Sequence, residues 1–385
     1  MSSSEWREVV VKEVCESVVD CVNKTAPVVE YETPYKMIRT TNVKEGVINL
    51  TGARFVEKET FDKWTRRAVP RIGDVVLTRE APLGDVGMIT TPNEKIFLGQ
   101  RLMQYRADPE KLDSKFLLYA LQESFMQGQI KAGGSGSTVE HIRVGDAENL
   151  KIKLPHLNTQ KRIGQLLYQY DNLIENNNRR IAILEDMAQS LYREWFVKFR
   201  YPGHENQTLI DSPLGPIPEG WEVKTLKEVI ELAYGKALKK NDRKGGAVAV
   251  FGSGGLGGWH DRALVSGPSI IVGRKGNVGK VFWVEEDCWP IDTVFYVKSD
   301  FSKFYLYYNL LSQVFHNSDA AVPGLNRDSA YSNKVLIPSQ DVISEFDRVV
   351  ASIFAQLKNL RNKNENLKKQ RDMLLPKLIS GNISI

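Results

Sequence analysis

The chain repeats itself at a fixed interval, and a repeat constrains the fold before any local pattern does. Leu150-Lys151-Ile152-Lys153-Leu154-Pro155 resembles Asn333-Lys334-Val335-Leu336-Ile337-Pro338, with Pro155 and Pro338 lying 183 positions apart. The same interval relates Val139 to Val322, Ile163 to Phe346, Leu184 to Leu367 and Leu191 to Leu374, with no gap. Trp6-Arg7-Glu8-Val9 matches Trp221-Glu222-Val223-Lys224 at an interval of 215, and Gly73-Asp74-Val75-Val76-Leu77 matches Gly267-Pro268-Ser269-Ile270-Ile271 at 194. The two halves therefore correspond at their starts and ends and differ by 32 residues (215 − 183) in between. The middle of each half tolerates change, whereas its end does not tolerate a shift of register.

Each half ends in a heptad seam. Apolar residues step by four and three through Ile163, Leu167, Tyr170, Ile174, Asn177, Ile181, Leu184, Ala188, Leu191 and Trp195. They do so again through Phe346, Val350, Ile353, Leu357, Leu360, Asn364, Leu367, Arg371, Leu374 and Leu378. Such a seam over more than four heptads predicts long paired helices. Gly and Pro are absent between Gly164 and Pro202 and between Pro338 and Pro376, so each helix is expected to run for about 33 residues, roughly 50 Å. A single Asn interrupts each seam, Asn177 and Asn364, as a register device would. A core stripe in an ordinary bundle would not explain identical phase in two copies.

Connectivity suggests how the helices meet. The first is followed by breakers, Tyr201-Pro202-Gly203-His204 and Ser212-Pro213-Leu214-Gly215-Pro216-Ile217-Pro218-Glu219-Gly220. A whole domain then precedes the second helix, which allows an antiparallel pair. The expected fold is α+β: two tandem, pseudo-twofold-related α/β globular domains separated by two long helices in an antiparallel coiled coil. The expected boundaries are residues 1–155 for the first domain and 156–200 for the first helix. Residues 201–340 form the linker and second domain, and 341–385 the second helix and tail.

The globular parts are rich in short β-type runs bounded by Gly, Pro, Asn and Asp. These are Val75–Leu77, Val86–Ile89, Lys95–Leu98, Ile270–Val272, Val281–Val284 and Thr293–Val297, with helical stretches at Ser114–Gly128 and Phe301–Phe315. Basic residues sit in the intervening loops: Arg66, Arg67, Arg71, Arg79, Arg101 and Arg106 in the first half. Lys239, Lys240, Arg243, Lys244, Arg262, Arg274, Lys275 and Lys280 do so in the second. Flexible runs, Gly133-Gly134-Ser135-Gly136-Ser137-Thr138 and Gly252-Ser253-Gly254-Gly255, lie beside them. Cations that neutralise phosphates and read guanine edges, next to backbone that can approach closely, are what DNA recognition needs. The candidate DNA contacts are Arg79, Arg101, Lys239, Lys240, Arg243, Arg274, Lys275 and Lys280. For any one of them a solvated surface charge is the competing account. Arg79 and Arg274 fall at equivalent places, each just after an apolar strand.

Composition narrows the class. The chain has 385 residues with 42% hydrophobic and 26% charged, enough for two or three domains. No apolar run is long enough to span a membrane, and the opening residues carry no signal-peptide pattern. Three cysteines make no disulfide framework, which points to a reducing, cytoplasmic setting. A net charge of +5 is compatible with nucleic acid but does not demand it.

Catalytic signatures are missing. Gly273-Arg274-Lys275-Gly276-Asn277-Val278-Gly279-Lys280 fails as a phosphate loop on spacing, and Val281 follows the lysine where Ser or Thr is needed. Phe251-Gly252-Ser253-Gly254 has the outline of a methyl-donor glycine loop, but no Asn-Pro-Pro or Asp-Pro-Pro tetrapeptide accompanies it. Neither a nuclease Pro-Asp…Glu-x-Lys set nor a Gly-x-Ser-x-Gly elbow occurs. No metal site is expected, because the cysteines and five histidines are not at ligand spacing. Recognition rather than chemistry is the reading.

Four segments resemble the specificity (S) subunit of Type I restriction–modification systems. They are Gln160-Lys161-Arg162-Ile163 leading to Tyr170-Asp171-Asn172-Leu173-Ile174-Glu175, and the linker Leu214-Gly215-Pro216-Ile217-Pro218-Glu219-Gly220-Trp221-Glu222-Val223. The others are Arg274-Lys275-Gly276 with Trp289-Pro290-Ile291-Asp292-Thr293, and Gln370-Arg371-Asp372-Met373-Leu374-Leu375-Pro376-Lys377-Leu378-Ile379-Ser380-Gly381. The resemblance implies two target-recognition domains, each reading one part of a split double-stranded DNA sequence, on a chain that is not itself a catalyst. It implies two methyltransferase partners that use S-adenosylmethionine on adenine, and restriction subunits that use ATP and Mg. No cofactor is then expected on this chain. The alternatives are a coiled-coil scaffold without a nucleic-acid role, and a self-contained methyltransferase–nuclease with a fused recognition part.

Overall fold

The strands that open and close each half pair with each other. In the computed structural model, which describes residues 6–91, 95–135, 140–315, 324–383 and 385, Arg7–Val10 runs antiparallel to Lys151–Leu154. Glu222–Thr225 pairs in the same way with Lys334–Ile337. The matching sequence ends are thus a two-stranded clasp that closes each domain. Val139, Val322 and Gly136–Thr138 lie outside the described residues. The chain divides into two compact units, residues 1–176 with 364–385, and residues 177–363.

In the first unit the main sheet has six strands. Their order is Cys15–Asp20, Leu102–Ala107, Val75–Arg79, Leu83–Met88, Gly46–Ile48 and Val43–Lys44. A second sheet orders Arg54–Phe55, Tyr35–Ile38 and Lys95–Leu98, the last two parallel. Val75 and Leu77 enter one core with Phe116 and Leu167, while Val76 enters another with Ile38 and Leu102. A strand buried on both faces reads as an unbroken apolar run rather than an alternating one, which is why Val75-Val76-Leu77 stands out. The hairpin Val43–Ile48 and the helix Lys58–Trp64 account for part of this half's extra length.

The expected helix Ser114–Gly128 is in fact two, Ser114–Gln122 and Ser124–Ala132. Glu123 breaks it, because its carboxylate accepts from the Phe125 amide at 2.7 Å and caps the second helix.

The second unit repeats the topology. Its four-stranded sheet orders Glu231–Tyr234, Val294–Lys298, Ser269–Gly273 and Val281–Val284. Its three-stranded sheet orders Gly255–His260, Val248–Gly252 and Cys288–Pro290, again with one parallel pair. Ile270 and Val272 enter the large core around Phe346 and Tyr305, and Ile271 enters a second one with Cys288.

The long helices are Leu157–Tyr192 and Gln340–Ile379, of 36 and 40 residues. They exceed the expected 33, and they run through Gly164 and Pro376. Gly164 is there for space: a Cβ would come within 2.7 Å of the Phe116 amide nitrogen and 2.6 Å of Asp113 Oδ1. Pro376 removes one amide-to-carbonyl bond, but only three residues of helix follow it, so little of the helix lies beyond the interruption. Beyond Tyr192 the first helix widens into a π turn, Arg193–Val197, which buries both Trp195 and Phe196.

Each unit contains the start of one long helix against the end of the other, so the pairing is antiparallel. In the first unit Ile163 and Leu167 share a core with Leu378 and Ile379, and Ile174 and Asn364 are buried. Leu367 is half-buried. In the second, Val350, Ile353 and Leu357 are buried, with Ile181 and Leu184 packed against the same core. Asn177 is half-buried. Glu185 meets Arg361 at 2.6 Å.

Candidate DNA-recognition surfaces

Each unit has one sheet end where three loops converge, and the two ends are built alike. In the first unit the Arg79 amide donates to the Arg101 carbonyl at 2.8 Å, and in the second the Arg274 amide donates to the Thr293 carbonyl at 2.9 Å. The next residue bridges to a matching segment, Glu80 to His141 and Lys275 to Gly324. The two arginines thus occupy equivalent backbone positions.

Their side chains do different work. Arg79 Nη1 donates to the Ile142 carbonyl at 3.3 Å. Arg274 donates through Nε and Nη2 to the Asp292 carbonyl, at 3.1 and 2.6 Å. Its guanidinium also lies over the Tyr234 and Phe295 rings, at 5.2 and 5.8 Å. A guanidinium held in this way fixes the 291–293 segment.

After Arg274 the loop folds onto itself. The Gly273 amide donates to the Lys280 carbonyl and the Gly279 amide to the Gly273 carbonyl, both at 2.8 Å. A Cβ on Gly273 would sit 2.0 Å from the Asn277 carbonyl oxygen, so only glycine fits there. The loop leaves Lys275 and Asn277 exposed. Lys280 Nζ lies 5.2 Å from the centre of the Phe282 ring. The turn at Gly252-Ser253-Gly254 adjoins it, with the Ser253 amide 3.3 Å from Thr293 Oγ1.

Lys239 and Lys240 are exposed at a short 3-10 turn. That loop is tied in by Lys236, whose amide donates to the Pro290 carbonyl at 3.0 Å. Its carbonyl accepts from Trp289 Nε1 at 2.9 Å. Arg243 donates to the Gly257 and Leu238 carbonyls, which staples the loop to its neighbouring strand.

In the first unit Arg106 makes a two-pronged contact with buried Asp74, at 2.9 and 2.7 Å, and Arg67 pairs with Asp20. These two are structural. Arg101 stands at φ +70° and meets Glu80 at 3.4 Å. It lines a pocket of about 280 Å³ with Lys24, Arg39 and Arg54, three cations that motif and loop reading does not single out. Their positions, 24, 39 and 54, carry no local signal. Only the parallel pairing of Tyr35–Ile38 with Lys95–Leu98 brings Arg39 beside Gln100 and Arg101.

Among the described residues no cluster of His, Cys, Asp and Glu could hold a metal ion, and no helix is long and apolar enough to cross a membrane. Burial pushes the Cys15 thiol up to about 12, with Asp108 adding to the rise. Burial also raises Tyr105 and Tyr119 far above an ordinary phenol, and none of these groups is tuned for proton transfer.

Comparison with known proteins fits this arrangement. The chain is 23% identical over 364 residues to the Type I restriction enzyme MjaIX specificity subunit of Methanocaldococcus jannaschii, covering 87% of this chain and 83% of the relative. It is 26% identical over 332 residues to the MjaVIII specificity subunit of the same organism, covering 76% of each chain. Its fold is similar to the crystal structure of a Type I restriction–modification S subunit from M. genitalium, with a TM-score of 0.62 and 19% identity, covering 98% of this chain and 97% of the other. The model of the Type I restriction modification DNA specificity domain matches twice, at residues 3–186 and 218–371. The chain belongs to that family: it is a non-catalytic specificity subunit of a Type I restriction–modification enzyme, carrying two tandem recognition domains suited to a bipartite DNA target.

Proposed function

We propose that each compact unit reads one part of the split target through the sheet end just described. In the second unit Lys275, Asn277, Lys239 and Lys240 meet DNA, and Arg274 and Arg243 hold the loops that present them. The carrying observation is the shared backbone frame, Arg79 on Arg101 and Arg274 on Thr293, on which the two units mount different side chains. A common frame with divergent loops is what two readers of different sequences require.

The chain acts in the cytoplasm with two methyltransferase subunits, which supply S-adenosylmethionine chemistry on adenine, and with restriction subunits, which use ATP and Mg. The paired helices set the unread spacer between the two parts of the target. The domain boundaries follow the repeat, with residues 1–155 and 201–340 as readers and 156–200 and 341–385 as helices.

The test is a genome-wide adenine methylation map of cells carrying the gene and its methyltransferase partner. Residues 220–338 are then exchanged for those of another family member. One part of the target should change and the other stay. A change in both parts would overturn the modular reading.

A further inference from the structure

We infer that the pocket lined by Lys24, Arg39, Arg54 and Arg101 is a phosphate site of the first reader, holding one backbone phosphate of the target duplex. The inference rests on the DNA-reading role proposed above and adds a residue-level site to it.

Four cationic side chains converge here from four separate segments of the chain. Among the described residues, Lys24, Arg39 and Arg54 have no carboxylate within ion-pair distance, and Arg101 has only Glu80, at 3.4 Å. Like charges gathered in a concavity repel, and the repulsion grows as solvent is excluded. Glu80 offsets only Arg101, one of the four charges, so the pocket is complementary to an external anion.

Arg39 is the fixed member. Its amide donates to Asn42 Oδ1 at 2.9 Å, and its Nη2 donates to the Gly52 carbonyl at 3.2 Å. Its Nε is shielded from solvent and has no hydrogen-bond partner, and the side chain as a whole is half-buried. The floor is tied down by Thr40, whose hydroxyl donates to the Ala81 carbonyl at 2.9 Å.

Two points favour phosphate over a base edge. Reading guanine takes two coplanar donors from one guanidinium, and the Arg39 Nη2 bond to the Gly52 carbonyl limits which donor pairs are free. Cations arriving from several segments enclose a tetrahedral anion better than a flat base. The site also belongs to one reader only. The Gly99 amide on the Ile38 carbonyl matches the Ile291 amide on the Phe251 carbonyl, both at 2.8 Å. That places Gly252 at the position of Arg39 and Thr293 at that of Arg101, so the second unit has no guanidinium at either place.

The test uses the full chain assembled with its methyltransferase partner, binding a target duplex and a scrambled duplex at several salt concentrations. Arg54→Ala removes an exposed side chain, and Arg39→Ala removes the fixed one; thermal melting checks that each variant folds. Both should weaken binding to the two duplexes alike, about tenfold, and lower the slope of log affinity against log salt by about 0.9, the value for one phosphate. Arg39→Lys should recover part of the loss. An unchanged slope in folded Arg54→Ala overturns the site, as does a loss confined to the target duplex, which would mark base reading. If the wild-type complex itself fails to distinguish the two duplexes, the DNA-reading role fails rather than the pocket.

Discussion

Asp171 Oδ1 sits 2.5 Å from Arg371 Nη1, and the Tyr119 hydroxyl donates to the other oxygen of the same carboxylate at 2.5 Å. Asp171 and Arg371 belong to the two long helices, 200 positions apart, and both side chains are mostly buried. At the interval of 183 the corresponding residues are Phe354 and Ala188, both buried in the second unit's core. One repeat therefore fastens its helices with an ion pair where the other buries a phenyl ring and a methyl group in its apolar core.

Removing one member of a buried pair strands the other. Arg371→Ala should destabilise the first unit by about 2–4 kcal/mol. The double variant Asp171→Ala/Arg371→Ala should cost less than the two single variants together. Denaturant melts of the single and double variants, followed by a probe in the first unit, check this. Strict additivity would mean that the pair is not coupled.

Gly164→Ala should be harmful despite a gain of about 1 kcal/mol in helix propensity. The added Cβ meets the Phe116 amide nitrogen and the Asp113 carboxylate, and Asp113 caps the helix Ser114–Gln122 through that same amide at 2.9 Å. A net loss of about 1–3 kcal/mol is expected. Thermal melting decides, and a raised midpoint would contradict the close approach.

Lys275→Ala and Arg274→Ala should differ. Lys275 is exposed at the loop tip, so its loss should weaken binding to all DNA and lower the salt slope by about one. Arg274 holds the Asp292 carbonyl, so its loss should blur one part of the target in a methylation map. Identical effects of the two substitutions would remove the distinction.

Alkaline conditions should loosen the first unit. A thiol or phenol whose folded pKa is raised keeps its proton after the unfolded chain has lost its own. The stabilisation is complete below the unfolded value and is lost as pH rises through the folded one. For Cys15 that window runs from about 9 to about 12, and the raised Tyr105 and Tyr119 act in the same direction. Stability measured from pH 8 to 11 should fall above about 9. At pH 8 the half-buried Cys15 should react with thiol reagents more slowly than the unfolded chain does, and labelling of native protein at the unfolded rate would contradict its raised pKa.

The sequence by itself determined the repeat, the heptad phase, the strand runs Lys95–Leu98 and Val281–Val284 to the residue, and the family. These features rest on local periodicity or on long-range identity between the halves, and both are written in the order of the residues. Tertiary structure decided which cations are free. Arg243 and Arg274 read as equals of Lys275 in the sequence, yet their guanidiniums hold backbone carbonyls of neighbouring loops, and the loop cations Arg106 and Arg67 are paired with carboxylates. Lys24, Arg39 and Arg54 become neighbours of Arg101 only when a parallel strand pair forms across some 60 residues. Whether a charge is spent on the fold or left for a ligand depends on distances across the chain, which local sequence patterns do not carry.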